Sequence, residues 1–196
     1  MRAIVIGGTG TIGSAVTEAL QGAHEVIVAS RSGRPHADLA DPRTVARLLE
    51  RLDGIDAIVC CAANAPLVRL SEVSEEQFVA SIAPKLLGQV GVTIHAAPRL
   101  RDRGSITLTS GVIPEGTSGA AGGALVNAGL EAFVRAAAQD LGRGLRINAV
   151  SPGWVAETMT KLGMDPSEGV AAAEVARAYV AAVEGSMSGE ILRAGM

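Results

Sequence analysis

Aromatic side chains are almost missing from this 196-residue chain, which holds one Trp, one Tyr and two Phe. A core built without them must be aliphatic, packed from Ala, Val, Leu and Ile, and that suits helices lying close on a parallel sheet. Cysteine is as scarce, with Cys60 and Cys61 adjacent in an apolar run. Neighbouring strand residues point to opposite faces, which opposes a disulfide between them and predicts two buried thiols in a cytoplasmic protein. No run reaches membrane-spanning length, and the chain opens on a strand with one positive charge, so neither a leader nor an anchor is expected. The net charge is −3 with scattered basic residues, which leaves no electrostatic case for nucleic-acid or membrane partners. His24, His36 and His95 lie far apart without ligand spacing, and no metal site is expected. Repeats, low-complexity tracts and linkers are lacking too, so residues 1–196 are read as one domain.

What is present begins with Met1 to Ser14, where the β-branched run Ile4-Val5-Ile6 feeds into a glycine-rich turn that opens a helix. Gly7, Gly10 and Gly13 recur every three residues where the backbone would turn and approach a pyrophosphate, and the helix would aim its free N–H groups at the phosphates. Gly7, Thr9, Gly10, Thr11, Ile12 and Gly13 are therefore candidate cofactor contacts. Glycine turns also join strands and helices for packing alone. The preceding strand, the helical stretch from Ile12 to Leu20 and a second apolar strand, Glu25 to Ala29, together favour a dinucleotide site.

Strand-like and helical runs alternate throughout, which implies right-handed βαβ units and a doubly wound parallel sheet, an α/β Rossmann fold. Strands are predicted near 3–7, 24–29, 56–61, 105–110, 145–150 and 189–193, with a short additional one near 36–39. Helices are predicted near 11–21, 42–52, 74–100 with a break at Ala83-Pro84, 120–141 and 166–184. The segments 32–35 and 113–116 read as loops over the carboxyl ends of strands, where ligands bind in such sheets.

At the end of the second strand an NAD site usually carries an acidic residue for the ribose hydroxyls. Here stand Ser30, Arg31 and Ser32, with Arg34 close behind. A guanidinium fork and two hydroxyls suit a 2′-phosphate, so NADP(H) is the expected cofactor.

The chain resembles the short-chain dehydrogenases/reductases along nearly all its length. Gly7-Gly8-Thr9-Gly10-Thr11-Ile12-Gly13 is similar to that family's glycine motif, and Asp38-Leu39 to the pair that contacts the adenine ring. Cys61-Ala62-Ala63-Asn64-Ala65 resembles the Asn-Asn-Ala-Gly motif after the fourth strand, and Ile106 to Ser110 the strand that ends in the catalytic serine. Arg146 to Val155 resembles the sixth strand and the Pro152-Gly153 turn beside the nicotinamide. By this resemblance Cys61, Ala62, Ala63, Asn64, Pro152, Gly153, Val155 and Thr158 are also cofactor contacts. It further implies pairing of two helices with symmetry mates in a homodimer or homotetramer.

The active site departs from the family. Members use a Tyr-x-x-x-Lys pair, and alignment puts Gly123 at the tyrosine position and Asn127 at the lysine position. Tyr179 lies in a late Ala-rich helix, where packing is its expected role. Lys85 stands where relatives carry an asparagine on the helix before the serine strand. The amine and the amide thus exchange places around Ser110, and Ser110, Lys85 and Asn127 are the candidate catalytic group. A partly desolvated lysine can act as an acid or base near neutrality; alternatively Lys85 is a surface cation whose stem covers the interface.

Two functions follow. One is an NADPH-dependent reductase of a small carbonyl or related substrate, with Ser110 polarising the oxygen and Lys85 or water supplying the proton. The other is a catalytically silent NADP(H)-binding sensor or regulatory protein. The segment 154–165 is a short substrate loop, with Trp154 and Met159 as a candidate apolar wall. The glycines of 119–130 suggest either a late helix start or close backbone approach, which would suit dimerisation. Loss of the Tyr and Lys bulk is expected to open space at the nicotinamide.

Overall fold

In a computed structural model, described for residues 1–62 and 66–195, six strands form one parallel sheet in the order β2-β1-β3-β4-β5-β6. The strands are β1 (Arg2–Ile6), β2 (Glu25–Ala29), β3 (Ile55–Cys60), β4 (Leu100–Thr109), β5 (Arg146–Pro152) and β6 (Ile191–Ala194). Helices α1 (Thr11–Gln21), α2 (Pro42–Glu50), α3 (Glu75–Ala96), α4 (Ala121–Asp140), α5 (Ala156–Lys161) and α6 (Ala172–Glu184) connect them. The order reverses between β1 and β3, the switch point where an open α/β sheet leaves a crevice at its carboxyl edge.

Strand alternation divides the core in two. Ile4, Ile6, Ile58, Ile106 and Leu108 face α2, α3 and α4, whereas Ala3, Val5, Ala57, Val59 and Val150 face α1 and α6. Both layers are mainly aliphatic; Phe133 packs at the edge of the first, and Tyr179 is fully buried in the second.

Several predicted boundaries need correction. Segment 36–39 contributes only isolated bridges, Ser30 with His36 and Asp38 with Asp41, so no strand forms there and the 61–65 motif follows the third strand. Helix α3 does not break at Pro84 but runs unbroken, opened by a capping box in which Ser74 and Gln77 bond reciprocally. The carbonyl that the missing Pro84 N–H would have engaged belongs to Ala80, which is exposed and open to water. Strand β4 starts five residues early, at Leu100, through a register shift opposite Ile55 and Ala57 and with Arg103 at φ 66°. The last predicted helix divides into a single 3-10 turn at Pro166–Glu168 and α6. The glycines of α4 bring it close to α3 of the same chain: a Cβ on Gly122 would lie 3.0 Å from Ile82, and one on Gly129 3.3 Å from Leu86.

Candidate active site and dinucleotide cleft

The glycine turn is built to leave room and donors. Gly7 ends β1 at φ +80°, and a Cβ there would stand 2.6 Å from the Ala62 backbone nitrogen. A Cβ on Gly13 would overlap the Gly7 carbonyl oxygen. The Gly10 N–H closes the turn on Gly7 O at 3.0 Å, and Ser14 N–H makes the first helical bond, to Gly10 O. Helix α1 has no side-chain cap and no acidic residue in its first turn. The N–H groups of Thr11, Ile12 and Gly13 therefore lack an intrahelical acceptor. Thr9 and Gly10 are exposed above them. Such a turn, without Cβ atoms and with a positive dipole end, fits a pyrophosphate. Lys161, to which the sequence assigned no role, reaches this turn from α5 and donates to Thr11 Oγ1 at 2.7 Å.

At the carboxyl end of β2, Ser30 is buried and its hydroxyl has no partner among the described residues. Arg31, Ser32 and Arg34 are exposed. Asp38 is committed locally: its N–H donates to Thr44 Oγ1 and its carboxylate accepts from Ala40 N–H. Leu39 is buried in the core against Gly88 of α3. Cys61 is tied to β1 through its N–H on Ile6 O at 2.8 Å, which lays Ala62 over Gly7. Ala63 and Asn64 lie outside the described residues. The adjacent thiols are unpaired, and burial pushes the Cys60 thiol up to about 12.

A cleft of about 260 Å³ opens beyond the turn. Ile12, Lys85, Ser110 and Asn127 line it, the β5 end and the loop after it supply Pro152, Gly153, Trp154 and Val155, and α5 supplies Thr158. Residues from α1, α3, β4, α4, β5 and α5 thus converge, and Ser110, Lys85 and Asn127 are among them. Met159, by contrast, is buried and lines no part of the cleft.

Lys85 Nζ donates to Asn127 Oδ1 at 2.8 Å and to Ser110 O at 2.9 Å. It is not a surface cation: the residue is 6% exposed, and burial lowers its pKa to about 8. One turn later Gln89, fully buried, fixes the helix that carries it. Its amide donates to Lys85 O and Thr109 O, and its Oε1 accepts from Thr109 N–H at 2.7 Å. Ser110 lies at the end of β4, but its hydroxyl donates to Glu131 Oε1 at 3.2 Å, an acceptor shared with Ser151. Sequence reasoning missed Gln89 and Glu131. Their signal was faint, two polar residues placed one turn after Lys85 and one turn after Asn127.

Gly123 and Asn127 both line the cleft, but the space at Gly123 is partly taken. A Cβ there would lie 2.6 Å from Ile113 Cδ1, so the Ile113 side chain occupies the volume beside the glycine. Tyr179 packs in the opposite layer, with its phenol oxygen 2.7 Å from Thr109 Oγ1, and burial pushes its pKa up.

The family model described as Enoyl-(Acyl carrier protein) reductase matches residues 12–184. No curated protein matches the chain. Among solved structures, the protein lin1944 from Listeria innocua is 34% identical with a TM-score of 0.92, covering 98% of both chains. A small-chain dehydrogenase is 30% identical, with a TM-score of 0.84 and coverage of 98% of this chain and 95% of that one. A small-chain dehydrogenase in complex with NADPH is 28% identical, with the same TM-score and coverage. Parallel sheet, glycine turn, convergent cleft and these likenesses agree: the chain belongs to the short-chain dehydrogenase/reductase family of oxidoreductases.

Proposed function

We propose that this protein is a cytoplasmic, homo-oligomeric NADP(H)-dependent oxidoreductase that reduces a small carbonyl or related substrate, with Lys85 as its proton donor. The bond between Lys85 Nζ and Asn127 Oδ1, inside the same cleft as Pro152, Gly153 and Thr158, carries the reading. The glycine turn would hold the pyrophosphate, and Arg31 with Ser30 and Ser32 the 2′-phosphate. When bound, the nicotinamide supplies the hydride. An ammonium has three N–H donors, and two of those on Lys85 are engaged, which leaves one for the oxygen on which negative charge develops. Asn127 orients that ammonium. Apolar faces on α3 and α4, with Leu87, Ile94 and Leu125 exposed, support pairing with a second copy.

Lys85→Ala should abolish turnover of small aldehydes, ketones and quinones while leaving the NADPH affinity unchanged in a fluorescence titration. Unchanged turnover would remove Lys85 from the mechanism. A second reading, a silent cofactor sensor, is favoured by the Ser110 hydroxyl directed at Glu131 and by the Ile113 side chain standing beside Gly123 where relatives carry the tyrosine. NADPH binding without turnover of any compound would select it.

A further inference from the structure

We propose that Lys161 clamps the dinucleotide pyrophosphate from the side opposite the glycine turn and thereby fastens α5 over the cleft. The inference rests on the cofactor reading above and adds a residue to it. Helix α5 is held from below. The Glu157 carboxylate accepts from Ala172 N–H at 3.0 and 3.1 Å, and Val155 bridges to Val170. Its last residue, Lys161, then projects across 150 positions of sequence to Thr11 Oγ1.

Electrostatics makes this contact costly by itself. A helix N-terminus carries positive charge, and cations belong at the other end. The first turn of α1 has no acidic residue to offset the ammonium, and Lys161 meets no carboxylate among the described residues. The Thr11 hydroxyl is a neutral acceptor. An anion seated between the ammonium and the free N–H groups would compensate both, and the dianionic pyrophosphate has the charge and the donor-accepting oxygens for it. Thr158 lies one turn before Lys161 on α5 and lines the cleft. Fixing Lys161 on the phosphates would therefore also fix Thr158 beside the nicotinamide.

NADH and NADPH share the pyrophosphate and differ in the 2′-phosphate, so titrating both separates this role from that of Arg31. Fluorescence titrations of the full chain should show Lys161→Ala weakening both dinucleotides about tenfold, Lys161→Arg weakening them by less than about threefold, and Arg31→Ala weakening NADPH alone. The cofactor-free melting temperature of Lys161→Ala should be no lower than that of the parent, because the side chain is exposed and its charge is unfavourable beside the α1 N-terminus. Equal affinity of Lys161→Ala and parent for both dinucleotides overturns the clamp. Loss confined to NADPH overturns it too, since Lys161 would then read the 2′-phosphate. If the parent binds neither dinucleotide, the cofactor reading itself falls, and the clamp with it.

Discussion

The Nζ of Lys85 and the Oδ1 of Asn127 meet at 2.8 Å, 42 residues apart in sequence and on two different helices. Relatives carry the amide on the first helix and the amine on the second; here the pair is reversed, yet an amine still stands against an amide beside Ser110. The exchange moves the charge from α4 to α3.

Turnover should respond to pH through this pair. Proton donation requires the ammonium, so the reductive rate is expected to fall as pH rises through about 8, the value to which burial brings Lys85. Asn127→Asp, which sets a carboxylate beside the ammonium, should move that limb to higher pH. Stability takes the opposite course. Below pH 8 both folded and unfolded chains hold the proton, and the fold carries the full cost of the buried charge. Between about 8 and 10.5 the folded chain releases the proton first and gains stability, by roughly 3 kcal/mol at most. Urea unfolding at pH 7 and pH 10 should show this gain as the difference between the parent and Lys85→Met, because the buried Cys60 thiol, held protonated, works against it equally in both chains.

Gln89→Leu should separate positioning from binding. It removes the two hydrogen bonds between α3 and β4 and a third, to Lys85 O, within α3, and leaves the Thr109 N–H and carbonyl without that partner. A loss of roughly 2–4 kcal/mol in denaturant unfolding is expected. The displaced Lys85 should lower kcat while the NADPH dissociation constant stays within about twofold of the parent.

Gly13→Ala tests the close packing of the phosphate turn. Its Cβ would overlap the Gly7 carbonyl, and because backbone must shift to relieve this, a loss of about 2 kcal/mol and at least tenfold weaker NADPH binding are expected. Gly22→Ala is the control. Nothing lies within 4 Å of a Cβ there and φ is −64°, so the variant should be neutral or up to about 1 kcal/mol more stable. Thermal melts and fluorescence titration would read both.

The strands were legible because their side chains alternate into two aliphatic layers, and the glycine turn because it sits between a buried strand and a helix. The meeting of Lys85 with Asn127 was legible only by way of the family pattern, for nothing local pairs residues 42 positions apart. Pro84 misled, since its local penalty is real and a helix anchored by Gln89 and packed along α4 overrides it. Ile113 could not be foreseen. A glycine at 123 reads as an opening until the loop that precedes its helix is known to fold back on it.

Thr109 is bonded on both sides of the sheet. Its backbone engages Gln89 of α3 in one helical layer, while its hydroxyl meets Tyr179 of α6 in the other and also donates to Cys60 O. Other ties join the sheet to one layer alone, as where Arg146 of β5 donates to Ala182 O and Val183 O of α6. Thr109 is a rivet through all three layers, driven one residue before Ser110. The reacting corner is thus anchored to both helical layers, and adaptation to a substrate is expected from the loops and α5 at its rim.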